Sequence, residues 1–229
     1  MPSNTDDSPV LDHHADARKR MVDSQIRPNK VTDPRILAAM RFLPRERFLP
    51  AAMQSLAYAD ADVPLGGGRF LMEPMVLARL LQIAAPQEGE RALVVAAGTG
   101  YGAAVLSQCG PRVTALEESP ALLALARESL GAEAPGVHLV SGALATGWPA
   151  GAPFDIILIE GAVREIPTAI AAQLKVDGGR LVTVLLAGAG RTAQAVLAEA
   201  TSAGLRALPM FDCATPSLPS LLPAPEFVF

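Results

Sequence analysis

Histidine is nearly absent: the chain has three, His13 and His14 in a polar leader and His138 inside the apolar stretch Val137-His138-Leu139-Val140. This scarcity disfavours acid/base or metal chemistry built on imidazole, and His138 reads as a strand residue with a satisfied ring. The two cysteines, Cys109 and Cys213, are far apart in sequence, so they suggest neither a disulfide framework nor a zinc cluster and read as buried thiols. No metal site is expected. Basic charge is also short, with 19 Lys and Arg against 23 Asp and Glu. A phosphate-backbone binder needs a basic face, so nucleic acid is not expected as a partner. No apolar run reaches the roughly 18 residues of a membrane span, and Met1 to Asp16 is polar with no apolar signal core, so a soluble, cytoplasmic protein without a membrane partner is expected.

What is present is apolar: half of the 229 residues are hydrophobic, enough to bury a sizeable core in one α/β domain. Residues 1–15 lack hydrophobic periodicity and read as a mobile leader. Residues 16–84 read as N-terminal helices and a substrate-side loop. The spacing of Ala17, Met21, Val22, Gln25 and Ile26 predicts an amphipathic helix closed by Pro28, and a second helix follows with Asp33 as its cap and Pro34 in its first position. Tyr58 to Pro74, with Gly66-Gly67-Gly68, predicts a loop, and Met75–Ala84 another helix.

From residue 85 to 229, apolar runs alternate with helical patterns. The expected strands are Ala92–Ala96, Val113–Leu116, Val137–Val140, Phe154–Ile159 and Arg180–Leu186, and the expected helices are Gly102–Gln108, Pro120–Leu130 and Ile166–Leu174. Near-continuous apolar strands separated by helices signal a parallel sheet covered on both faces. The stretch Ala193–Ala200 suits a helix by propensity and a strand by alternation. Leu205–Cys213 reads as a strand, Pro216 to Pro225 as irregular, and Phe227-Val228-Phe229 as a segment that could dock.

The first feature with chemical content is Ala96-Ala97-Gly98-Thr99-Gly100-Tyr101-Gly102, between an expected strand and an expected helix. Small residues there let the backbone turn sharply and approach an adenosyl group or a phosphate. At the end of the next strand stands Glu117, followed by Glu118, and a carboxylate at that place can accept hydrogen bonds from both ribose hydroxyls. A plain strand-to-helix turn and a solvated glutamate are the structural alternatives. A nicotinamide cofactor fits the same local signature.

A longer set of ordered residues narrows the choice. Arg20-Met21-Val22 with Gln25, Pro44-Arg45-Glu46-Arg47-Phe48-Leu49-Pro50, Tyr58-Ala59-Asp60, Pro64-Leu65-Gly66, Gly98-Thr99-Gly100-Tyr101, Gly147-Trp148, Phe154-Asp155, Ile166-Pro167, Gln173-Leu174 and Gly178-Gly179-Arg180-Leu181-Val182 resemble the protein-L-isoaspartate O-methyltransferases over about residues 18–186. The resemblance implies an α/β, Rossmann-like methyltransferase with a mostly parallel central sheet, helices on both faces and an N-terminal helical segment. It implies S-adenosylmethionine as cofactor, isoaspartyl residues of proteins or peptides as acceptor in protein repair, and a strand pair over Ala193–Cys213. It places Ala96, Gly98, Thr99, Gly100, Tyr101, Glu117, Ala143 and Leu144 at the cofactor, with Met72 and Glu160 on the acceptor side.

Several of these positions depart from the family pattern. Phe70-Leu71-Met72-Glu73-Pro74 stands where the family has Thr-Ile-Ser-Gln-Pro, and a thioether cannot donate the serine's hydrogen bond. Val94 and Ala143 replace acids, leaving Glu117 as the acidic anchor, and each lost hydrogen bond to a charged or buried group costs ~1.5–3 kcal/mol. Glu160 replaces a threonine. Pointing inward and ionised, it would oppose a carboxylate acceptor by roughly 4 kcal/mol at 4 Å with an effective dielectric near 20; pointing outward, or paired with Arg164, it would be a solvated loop residue. The alternatives to an isoaspartyl methyltransferase are a non-catalytic binding or regulatory protein on the same scaffold, or a methyltransferase with another acceptor.

Overall fold

The computed structural model describes residues 9–188, 192–202 and 204–222. The expected leader lies in part, and the expected docking of Phe227–Phe229 wholly, outside the described residues. From Pro9 the chain is helical: α1 (Pro9–Arg20) runs into a wider turn, Met21–Ile26, and a tight one, Arg27–Asn29. The single helix expected here therefore changes its winding where Met21, Val22 and Ile26 are buried. In α2 (Pro34–Phe42) the Asp33 side chain accepts from the Arg35 amide at 2.9 Å, and Pro34 takes a position that needs no amide donor.

The expected loop before α3 (Pro74–Ala84) contains a small antiparallel hairpin, β1 (Val63–Gly66) and β2 (Arg69–Leu71). Gly66, Gly67 and Gly68 all have positive φ, which gives the hairpin its tight tip.

Beyond α3 the chain alternates: β3 (Arg91–Val95), α4 (Tyr101–Gln108), β4 (Arg112–Glu117), α5 (Pro120–Glu133), β5 (His138–Ser141), β6 (Ile156–Val163), α6 (Thr168–Ala171), β7 (Arg180–Leu185), β8 (Gln194–Thr201) and β9 (Gly204–Asp212). Among the described residues seven strands form one sheet in the order β5-β4-β3-β6-β7-β8-β9. The pairs from β5 to β7 are parallel and β7-β8-β9 antiparallel, so Ala193–Cys213 is the strand pair that the family resemblance implied.

Alternation along each strand divides the core. Val94, Ala115, Leu158 and Val182 pack on one face with residues of α2, α3 and α4, while Leu93, Val95, Leu116, Ile157 and Leu181 face Phe154, Ile170, Leu174 and Leu218 on the other. The second face is the thinner cover: α6 is a single turn where Ile166–Leu174 was expected to be helical. Val94 is a fully buried core residue. Among the described residues no helix is long and apolar enough to cross a membrane.

The strand order reverses beside β3: β4 and β5 continue to one side, and the chain returns to place β6 on the other. In open α/β sheets ligands bind at such a switch, outside the carboxyl ends of the strands.

Candidate active site

At this edge the backbone after β3 turns through Ala96 (φ 62°), Gly98 (φ 58°) and Gly100 (φ 94°) before entering α4. Gly100 is also constrained by packing, since a Cβ there would lie 2.7 Å from Leu130 Cγ. A valine at Gly100 would therefore press on Leu130 of α5 as well as strain the turn.

Glu117, the last residue of β4, is wholly buried. Its Oε2 accepts from the Gly98 amide at 2.8 Å, and its Oε1 from the amides of Glu118 at 3.0 Å and Ser119 at 2.9 Å. Two further donors come from Arg69 on β2. Its Nη1 donates to Glu117 Oε1 at 2.8 Å and its Nη2 to Oε2 at 3.0 Å, while Nη2 also reaches the Ala96 carbonyl at 2.8 Å. Arg69 is itself buried. This fork-on-fork pair has the geometry in which guanidinium and carboxylate bind most specifically.

Glu160 points inward, which corrects the outward or Arg164-paired alternative. Between Leu158 and Ala162 the β6–β7 register slips, and the bulge turns Glu160 toward α4. A Cβ built on Gly102 would lie 1.8 Å from Glu160 Oε1, so the carboxyl fits only because that position is glycine. Burial pushes the Glu160 pKa up to about 8, outweighing the pull of Arg69 and Arg45 in the other direction. This raised value favours the protonated carboxyl over the fixed negative charge at neutral pH, and a protonated carboxyl can donate a hydrogen bond.

Met72 shares a cavity of about 10 Å³ with Glu160, also lined by Phe70 and Leu218. Its carbonyl accepts from Arg45 Nη2 at 2.7 Å, and Arg45 Nε donates to the Ala57 carbonyl at 2.7 Å. The Arg45 guanidinium lies 4.7 Å from the Tyr101 ring centroid. Tyr101 is buried against Phe48 and Arg45, and burial pushes its pKa up to about 12.

A region of the chain, residues 16–201, matches the family described as protein-L-isoaspartate(D-aspartate) O-methyltransferase (PCMT). The chain belongs to this family. It is 42% identical over 188 residues to the protein-L-isoaspartate O-methyltransferase of Methylorubrum extorquens, covering 82% of each chain. It is 42% identical over 178 residues to protein-L-isoaspartate O-methyltransferase 1 of Rhodopseudomonas palustris, covering 77% of this chain and 71% of that one. A solved protein-L-isoaspartate O-methyltransferase superimposes with a TM-score of 0.75 at 26% identity, over 89% of this chain and 67% of the other. A Plasmodium falciparum structure in complex with S-adenosyl-L-homocysteine shares the fold, with a TM-score of 0.70 at 18% identity over 90% of this chain and 98% of that chain.

In this family member the structure brings Ala96, Gly98 and Glu117 into one hydrogen-bonded unit and places Thr99, also buried, beside them. It brings Met72 and Glu160 together. Ala143 is exposed and precedes the turn Leu144–Thr146, and the buried Leu144 is tied to the unit by its amide, which donates to Glu118 Oε2 at 3.3 Å. Sequence reasoning missed Arg69 and gave Arg45 no role. The available signal was a lone arginine in the apolar run Arg69-Phe70-Leu71 directly after three glycines, where a charge is retained only with a buried partner.

Proposed function

We propose that this chain acts as an S-adenosylmethionine-dependent methyltransferase on isoaspartyl carboxylates of proteins or peptides, in the cytoplasm. The observation that carries the reading is the junction of the small-residue turn with Glu117 at the carboxyl edge of β3 and β4, within a chain of this family. Residues 85–229 would hold the donor, and the helices and hairpin of 16–84 would cover the acceptor side. S-adenosylmethionine, when bound, supplies a methyl group already activated on a sulfonium, so alignment can provide much of the acceleration. The residues present fit that group in kind, but not in the arrangement described: with Arg69 on both oxygens of Glu117, the carboxylate has no site left for a ribose.

On the acceptor side the thioether of Met72 cannot donate a hydrogen bond, but a protonated Glu160 can. Methyl transfer to an isoaspartyl peptide should therefore decline as pH rises through about 8, the value to which burial lifts Glu160. Glu160→Gln, neutral throughout, should abolish that decline. A parallel decline in parent and variant, followed by labelled methyl transfer across this range, would remove Glu160 from the acceptor site.

The Arg69–Glu117 closure also favours a second reading, a non-catalytic regulatory protein on the same scaffold. Incubation with labelled S-adenosylmethionine and matched isoaspartyl and aspartyl peptides separates the two. Base-labile label on the isoaspartyl peptide alone supports the enzyme; label on neither supports the regulator.

A further inference from the structure

We propose that the β1–β2 hairpin is a gate over the cofactor cleft and that Arg69 is its latch, the residue that sets the affinity for S-adenosyl ligands. The proposal rests on the methyltransferase reading above. An ionised carboxylate offers about four lone-pair positions. Glu117 already accepts five hydrogen bonds, three from backbone amides and two from Arg69. A ribose diol can therefore reach this carboxylate only by replacing the guanidinium. The exchange leaves Glu117 satisfied, because two hydroxyl donors take the place of two guanidinium donors while the amides of Gly98, Glu118 and Ser119 stay. The ligand must nevertheless overcome the pair, and apparent affinity falls by the fraction of molecules in which the latch is open.

Only the tip half of the hairpin is placed to swing, about a base anchored in the core by the buried Val63 and Leu71. Its strands are short and it pairs with no strand of the large sheet among the described residues, so the tip half lacks ladder support beyond its own two strands. Its tip is three exposed glycines. Its base is pinned: Asp62 Oδ1 accepts from the Glu73 amide at 3.0 Å and the Thr215 hydroxyl at 3.1 Å, and Arg45 holds the Met72 carbonyl. Between tip and base, Arg69 fastens the hairpin to Glu117 and Ala96. Leu65 adds an apolar contact, its Cδ1 lying 3.2 Å from where a Cβ on Gly98 would be.

Calorimetric titration of the full chain with S-adenosylhomocysteine tests the latch. Arg69→Gln should bind at least about tenfold more tightly than the parent, since the open fraction no longer limits affinity. Leu65→Ala, which loosens the hairpin without leaving a buried charge, should tighten binding by a smaller factor and decides the matter if the Arg69 variant does not fold. Parent-like or weaker affinity in a folded Arg69→Gln, or in Leu65→Ala when only that variant folds, would overturn the gate while leaving the methyltransferase reading intact. No binding by the parent or by any folded variant at millimolar ligand would overturn both.

Discussion

Glu117→Ala should lower the free energy of unfolding by about 3–5 kcal/mol, the usual consequence of stranding one member of a buried ion pair. The alanine removes the partner of a buried guanidinium and the acceptor for three backbone amides, so the loss falls on the turn after β3 as well as on the hairpin. Urea unfolding of the parent, of Glu117→Ala, of Arg69→Ala and of the double variant measures it. The double variant should be less destabilised than the two single losses added together, because the second change removes a charge already without a partner. A Glu117→Ala cost below about 0.5 kcal/mol, the scatter of ordinary surface substitutions, would contradict the buried pair.

Glu160→Gln should stabilise the protein above neutral pH. The carboxyl titrates at an ordinary value of 4.5 when unfolded and near 8 when buried, so between these values the folded chain holds a proton that the unfolded chain has released. Parent stability must then fall as pH rises across the window and level off above it, a loss of up to about 5 kcal/mol at 1.36 kcal/mol per pH unit. Glutamine keeps the shape and does not titrate. Asp62 and Glu73, also raised by burial, contribute slopes of the same sign in both proteins, so the difference between parent and variant isolates Glu160. Denaturation midpoints of parent and variant should diverge from pH 5 to about pH 8 and hold a constant separation from there to pH 9, and parallel curves throughout would place an ionised Glu160 in solvent.

The parallel strands were legible because β3 and β6 carry near-continuous apolar runs and β4 carries Val113, Ala115 and Leu116, and Glu117 because it ends a strand whose next helix announces itself by Ser119 and Pro120. Of the antiparallel pair, β9 was legible as the strand expected over Leu205–Cys213, whereas β8 was not legible from propensity: Ala193–Ala200 suits a helix locally, and pairing with β7 overrides it. The hairpin escaped because strands of four and three residues are too short to show alternation. Glu160 could not be oriented from sequence, since the register slip that turns it belongs to the pairing of β6 with β7. Arg69 and Glu117 are separated by 48 positions, and nothing local joins them. Chemistry readable one residue at a time was thus visible, whereas the contact that closes the cleft is tertiary.

The most direct test is a crystal structure of the protein grown with saturating S-adenosylhomocysteine, read at the separation between the Arg69 guanidinium and the Glu117 carboxylate. The account predicts that the pair, 2.8 Å apart in the closed arrangement, is broken, with the ribose hydroxyls on Glu117 and the β1–β2 hairpin displaced from Gly98. A bound ligand with the Arg69–Glu117 pair intact would contradict it.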